Sequence, residues 1–140
     1  MASRVIDTGT RHRIMASIRK RDTRPELTVR RAFHREGLRF RLHRRDLPGT
    51  PDLVLPRRRV IVFVHGCFWH RHPGCKWART PRGNRSYWVP KLARNVERDL
   101  KAREELETRG WTVLVIWECE TRDEARLQQI TRSVASTHAT

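Results

Sequence analysis

Apolar residues recur along this chain in two rhythms, near every second position and near every third or fourth, and their alternation predicts an α/β domain. Thr23 opens a Thr-x-x-Glu capping box with Glu26, and Pro25 suits a first helical turn. The spacing predicts a helix to Glu36, with Leu27 and Phe33 on its buried side and Gly37 as its stop. Leu38 to His43 alternates as a strand with Phe40 and Leu42 on one face. After a turn-rich loop over 46–51, Asp52 to Leu55 reads as a second strand. Arg57, Arg58 and Arg59 form a hairpin turn into Val60–Val64, which predicts an antiparallel pair. Residues 76–90 read as polar and irregular.

Lys91 to Thr108 is the longest expected helix, with Leu92, Val96, Leu100 and Leu106 on its inner side and Gly110 as its stop. The run Trp111–Trp117 predicts a strand buried on both faces, and Asp123–Ser136 a last helix with Leu127, Ile130 and Val134 inward. Helices alternating with one run of strands predict an α/β sandwich around a mixed central sheet.

Charge narrows the class. Lys and Arg number 31 against 15 acids, a net +16, with 17 basic and 6 acidic residues in the first 60 positions. Such an excess points to a polyanion, nucleic acid first, and the dominance of Arg favours phosphate and base-edge contacts. A basic protein from an arginine-rich proteome is the plainer alternative. Residues 1–22, with only Ile14, Met15 and Ile18 for an apolar face, read as an arm or a loosely docked helix, either a disordered tail or one that orders on DNA, and residues 23–140 as the domain. No run reaches the ~20 apolar residues of a membrane span and no signal-like segment opens the chain, which predicts a cytoplasmic protein.

The chemistry gathers in VIVFVHGCFWHRHPGC, Val60 to Cys75. Three cysteines make a poor disulfide framework, whereas Cys67, His72, Cys75 and the distant Cys119 can make a closed tetrahedral zinc site. His65 and His70 bracket this loop as candidate proton-transfer groups, with Asp99 able to orient one of them. Asp52, the only acid between Asp46 and Glu97, suits a magnesium ligand beside a phosphodiester. Phe68, Trp69 and Trp88 are either a satellite core around the zinc site or wedges for a duplex. Trp111 and Trp117 read as core.

The blocks PGTPDLVL, FVHGCFWHRHPGC, KLARNVERD and GWTVLVIWEC, in this order, resemble the very-short-patch repair (Vsr) DNA mismatch endonucleases over about residues 11–135. The resemblance implies a three-layer restriction-endonuclease-like fold and a magnesium-dependent nick 5′ of the thymine in T·G mismatches left by 5-methylcytosine deamination. It also implies structural zinc, action as a monomer on double-stranded DNA in a bacterial cytoplasm at the nucleoid, and further mismatch-repair proteins as partners. By motif, Asp52 matches the metal-binding aspartate, His70 the water-activating histidine, Asp99 its supporting acid, and His65 a second active-site histidine. Cys67, His72, Cys75 and Cys119 match the zinc ligands. Phe68, Trp69 and Trp88 match aromatics inserted at the mismatch, and Glu26 an acid near the active site. Val64 stands where the family pattern has threonine, so it offers magnesium a backbone carbonyl but no hydroxyl. The His72–Cys75 spacing is one residue longer than in that pattern.

Two rivals share these residues. A restriction-type endonuclease would cut matched or modified duplex, and a zinc-stabilised DNA-binding protein would cut nothing.

Overall fold

The computed structural model describes residues 23–137, so the expected N-terminal arm over 1–22 lies outside the described residues. Helix α1 (Arg24–Arg35) starts on Thr23, whose hydroxyl accepts from the Glu26 amide at 3.3 Å. It ends in a Schellman turn: Gly37 (φ 73°) donates to His34 and Leu38 donates to Phe33. This buries Leu38 and seats Val29, Ala32 and Phe33 on the sheet, with Leu27 only half-buried.

Four strands follow, β1 (Arg41–Leu42), β2 (Leu53–Leu55), β3 (Val60–His65) and β4 (Thr112–Trp117), in the spatial order β1-β2-β3-β4. The first two pairings are antiparallel, with Leu42 opposite Leu53 and Val54 opposite Ile61. β3 and β4 run parallel, with Val62 opposite Leu114 and His65 opposite Trp117. The expected strand over Leu38–His43 shrinks to two residues, because Leu38 is claimed by the helix cap and Leu42 is exposed at an edge. β4 is likewise an edge strand. Only Val113 and Ile116 within it are buried, so the apolar run is covered less evenly than expected.

The long helix α2 (Arg85–Thr108) begins six residues before the expected Lys91 and continues through Pro90, replacing part of the loop expected over 76–90. Pro90 is the sixth helical residue and removes one intrahelical hydrogen bond just past the first turn, a cost the rest of the 24-residue helix carries. Leu100, expected inward, is exposed. Steps of four residues overshoot the 3.6-residue turn, so Leu100 has drifted about 80° from Leu92 while Asp99 is only about 20° away. The inner stripe is therefore Leu92, Ala102 and Leu106, with Asn95, Val96 and Asp99 half-buried. The last helix, α3 (Glu124–Ala135), is capped by Asp123 and buries Leu127, Ile130 and Val134.

Helices α1 and α3 share one core with Leu53, Leu55, Val60, Val62 and Ile116; Leu106 of α2 joins Val54, Ile61, Phe63 and Val113 on the other face. The result is three layers around a mixed sheet. Among the described residues no helix is long and apolar enough to cross a membrane.

Two of the three arginines of the β2–β3 turn are engaged within the fold. Arg58 donates to the carbonyls of Val134, Ala135 and Thr137, where the unpaired end of α3 attracts a guanidinium. Arg59 lies 4.2 Å over the Trp111 ring and donates to Arg109 O.

The loop leading to Asp52 is pressed on α2 at Gly49, where φ is +76° and an added Cβ would lie 2.9 Å from Ala102 Cβ and 3.1 Å from the Phe63 ring. Gly49→Ala should therefore cost about 2–3 kcal/mol from strain and overpacking together, read as a drop in the urea midpoint at unchanged m-value. An unchanged midpoint would show that the loop relaxes freely.

Candidate active site and metal centre

The chemistry-bearing residues converge where β2 begins and the parallel strands β3 and β4 end, the edge at which open α/β sheets present ligand sites. Asp52 sits one residue before β2 and accepts the Val64 amide of β3 at 2.7 Å. Beside it, Glu26 is 3% exposed, a carboxylate from α1 turned into the interior. Glu26 Oε2 meets His43 Nε2 at 3.1 Å and Arg30 at 3.2 Å. Ligand atoms of Glu26, His43 and Asp52 all lie within 4.8 Å of one another. Burial raises the Asp52 carboxyl to about 7; the Val64 amide pulls it back, and neighbouring Glu26 raises it further.

At the end of β3, His65 stacks on His70 with ring centroids 3.8 Å apart and planes 7° apart. His70 Nδ1 lies 2.6 Å from Asp99 Oδ2, so the drift of the α2 stripe delivers Asp99 to the histidine. Burial lowers His65 to about 4, aided by His70 beside it and opposed by Asp99, so its imidazole is neutral near pH 7.

The shifts of Asp52 and His65 have opposite signs for stability without added magnesium. Asp52 contributes stability that is present below its ordinary pKa and lost as pH rises through about 7; His65 contributes stability that is present above about 6.5 and lost as pH falls through about 4. The two slopes oppose each other in the parent between about pH 4.5 and 6.5. Asp52→Asn should thus gain stability relative to the parent as pH rises through that window, and His65→Asn should lose it. Melting curves that shift in parallel at every pH would contradict both.

A third group joins Cys67, His72, Cys75 and Cys119, whose ligand atoms also lie within 4.8 Å of one another. His72 Nδ1 is 3.7 Å from Cys67 Sγ and 3.5 Å from Cys119 Sγ, close to the ~3.5 Å edge of a tetrahedron with zinc bond lengths. The cysteines form no disulfide, and burial with neighbouring thiols pushes Cys67 up to about 12. A soft cation suits such a set, because it offsets the cost of ionising packed thiols. Trp117 stacks on His72 at 4.2 Å and meets His65 edge-on at 5.4 Å, so this residue, expected as plain core, joins the cysteine cluster to the histidine pair.

Phe68, Trp69 and Trp88 pack against one another with centroids 5.1–5.8 Å apart, and all three remain half-buried. Exposed Tyr87 extends the group at 4.9 Å from Trp88, and Asn95 of α2 donates to the Trp69 carbonyl.

Residues 3–77 match the family model described as DNA mismatch endonuclease Vsr. The chain belongs to the Vsr family. It is 49% identical over 124 residues to the type II nicking enzyme V.XorIIP of Xanthomonas oryzae pv. oryzae, covering 86% of this chain and 90% of that one. It is 39% identical over 123 residues to the DNA mismatch endonuclease Vsr of Escherichia coli K12, covering 88% and 78%. The type II nicking enzyme V.NmeAIP of Neisseria meningitidis is 37% identical over 134 residues, covering 93% and 95%.

Within this Vsr chain the thirteen site residues expected from sequence fall into the groups described, with Asp99 and Cys119 brought in from a distant helix and strand. His43 and Arg30 were missed. A signal for His43 existed: the antiparallel register that pairs Leu42 with Leu53 sets residue 43 opposite 52, and the His43 amide donates to Asp52 O at 3.3 Å.

Proposed function

We propose that this DNA endonuclease nicks one strand of duplex DNA on the 5′ side of the thymine in a T·G mismatch, using magnesium at Asp52 and a structural zinc ion at Cys67, His72, Cys75 and Cys119. The single observation that carries the catalytic part is an Asp-oriented histidine, His70, at the strand ends where a buried carboxylate, Asp52, also sits. The mismatch part rests on the family and on the partly exposed aromatic group at the same edge. The three-layer sheet supports a restriction-endonuclease-like fold.

His70 presents Nδ1 to Asp99, which leaves Nε2 as the nitrogen that takes a proton from the attacking water; Asp99 offsets the charge that then builds on the ring. The water oxygen forms a bond to phosphorus as the bond to the 3′ oxygen breaks, and that oxygen takes up a proton from solvent water, giving a 5′-phosphate and a 3′-hydroxyl. His65, held neutral and stacked on His70, can donate a hydrogen bond to that leaving oxygen. Divalent magnesium, when bound by Asp52 and the Val64 carbonyl, supplies charge to offset the phosphoryl oxygens. Glu26 adds a second carboxylate beside Asp52. Phe68, Trp69 and Trp88 unstack the weakly paired T·G step, and the basic surface holds phosphates without reading sequence. One catalytic set per chain suits nicking by a monomer in the bacterial cytoplasm, with repair proteins taking up the nick.

The test is cleavage of end-labelled duplexes carrying T·G or matched T·A in several cytosine-methylation contexts. Magnesium-dependent cutting of the thymine strand of the mismatch alone is the expected result. Equal cutting of matched duplex would move the protein to the restriction class, and binding without cutting would make it a non-catalytic DNA-binding protein.

A further inference from the structure

The His43 imidazole is unexplained by the reaction as drawn. It sits at positive φ (45°), a conformation uncommon for a residue other than glycine and one found at strained functional positions. Its Nε2 faces Glu26 Oε2 at 3.1 Å, and both ligand atoms lie within 4.8 Å of a carboxylate oxygen of Asp52. We infer that His43 and Glu26 complete the cation site of Asp52, giving it one nitrogen and two carboxylate ligands, so that manganese(II) binds this chain more tightly than magnesium through the imidazole. The inference rests on the reading that Asp52 holds the catalytic cation.

Three observations carry it. Adjacent ligands of an octahedral cation with bonds near 2.1 Å are ~3.0 Å apart, which the His43–Glu26 separation of 3.1 Å already meets. In the neutral imidazole the single ring proton, placed on Nε2 toward Glu26, occupies the place a cation would take, so binding moves that proton to Nδ1 and frees Nε2 as a ligand. Charge also closes. Glu26 and Asp52 facing Arg30 leave one negative charge, a divalent cation reverses it, and one DNA phosphodiester neutralises the whole. Arg30, 3.2 Å from Glu26 Oε2 and 3.5 Å from His43 Nε2, flanks the site as the fixed cation that keeps Glu26 in place. Manganese(II), although the weakest binder of the first-row series and tolerant of oxygen ligands, accepts an imidazole nitrogen more readily than magnesium, which takes oxygen ligands and gives up its waters reluctantly.

The test uses the full-length, zinc-loaded protein without DNA. Manganese and magnesium binding are measured by calorimetry for the parent, His43→Gln and Asp52→Asn, and stoichiometric manganese in the parent is examined for nitrogen-14 coupling by pulsed electron paramagnetic resonance. Glutamine can still donate a hydrogen bond to Glu26 but offers no ligating nitrogen. The expected result is nitrogen coupling in the parent and, in His43→Gln, manganese affinity about tenfold lower with magnesium affinity within about threefold of the parent. Unchanged manganese affinity in His43→Gln, or no nitrogen coupling in the parent, overturns the inference and leaves His43 as a positioning residue for Glu26. The coupling measurement decides the matter if the variant does not fold. Asp52→Asn binding both ions as the parent does would instead sink the underlying placement of the cation at Asp52.

Discussion

Replacing Asp52 by asparagine should lower single-turnover nicking of a T·G duplex at least ~10³-fold while leaving affinity for that duplex within about threefold. Phosphodiester hydrolysis asks for several kcal/mol of charge stabilisation at the phosphoryl oxygens, and each 1.36 kcal/mol is a factor of ten in rate. Asp52 is the buried carboxylate fixed by the Val64 amide, and asparagine keeps its shape but loses the charge that holds a cation. On the proposed reading, binding comes mainly from arginines on phosphates and from the aromatic group, which the substitution does not touch. Gel-quench kinetics and a binding titration in calcium, on the same preparation, give the two numbers. A variant that keeps more than a tenth of the parent rate would remove Asp52 from the centre of the reaction.

The second large effect is expected from the cysteine cluster. Removing zinc with a strong chelator, or replacing Cys119 by serine, should lower the melting temperature by ~10 °C or more. Structural zinc contributes folding free energy directly, and a loss of roughly 3 kcal/mol is enough for such a shift in a domain of this size. The site joins the loop of Cys67, His72 and Cys75 to the turn after β4, two segments otherwise held near each other by the His72–Trp117 stack. Calorimetric melting paired with elemental analysis of zinc checks this. Protein that is zinc-free and melts as before would show that the thiols are ordinary buried cysteines.

The β2–β3 hairpin and the parallel β4 were legible because continuous apolar runs with turn residues between them leave few alternatives. The cysteine and histidine groups were legible because most of their members sit in one loop, so chemistry alone narrows the partners. Asp99 was named as a supporting acid by motif. Its inward placement follows from helix geometry that also throws Leu100 outward, and a four-residue reading of the apolar side misses that drift. Arg58 and Arg59 could not be told from DNA-binding arginines, because a guanidinium satisfies a helix carbonyl or an aromatic face as readily as a phosphate. His43 was passed over because the register that sets it opposite Asp52 is informative only once β1 and β2 are paired, and its left-handed backbone angle is not announced by its neighbours.

The position of Cys119 has a consequence for biosynthesis. A chain emerging from the ribosome delivers Asp52, His65, His70 and three of the four cluster ligands long before β4 and its trailing cysteine. The histidine loop can meet Asp99 and Asn95 of α2 earlier, but its cysteine cluster stays incomplete until β4 is out and paired along β3. Domains fold as units during synthesis, and here the order of the sequence brings the fourth cluster ligand late, with only α3 still to follow. A chain cut short before residue 119 would carry the hydrolytic side chains without the fastening that holds them at the strand ends. On the proposed reading, competence to cut is expected to arrive only once Cys119 has joined the cluster.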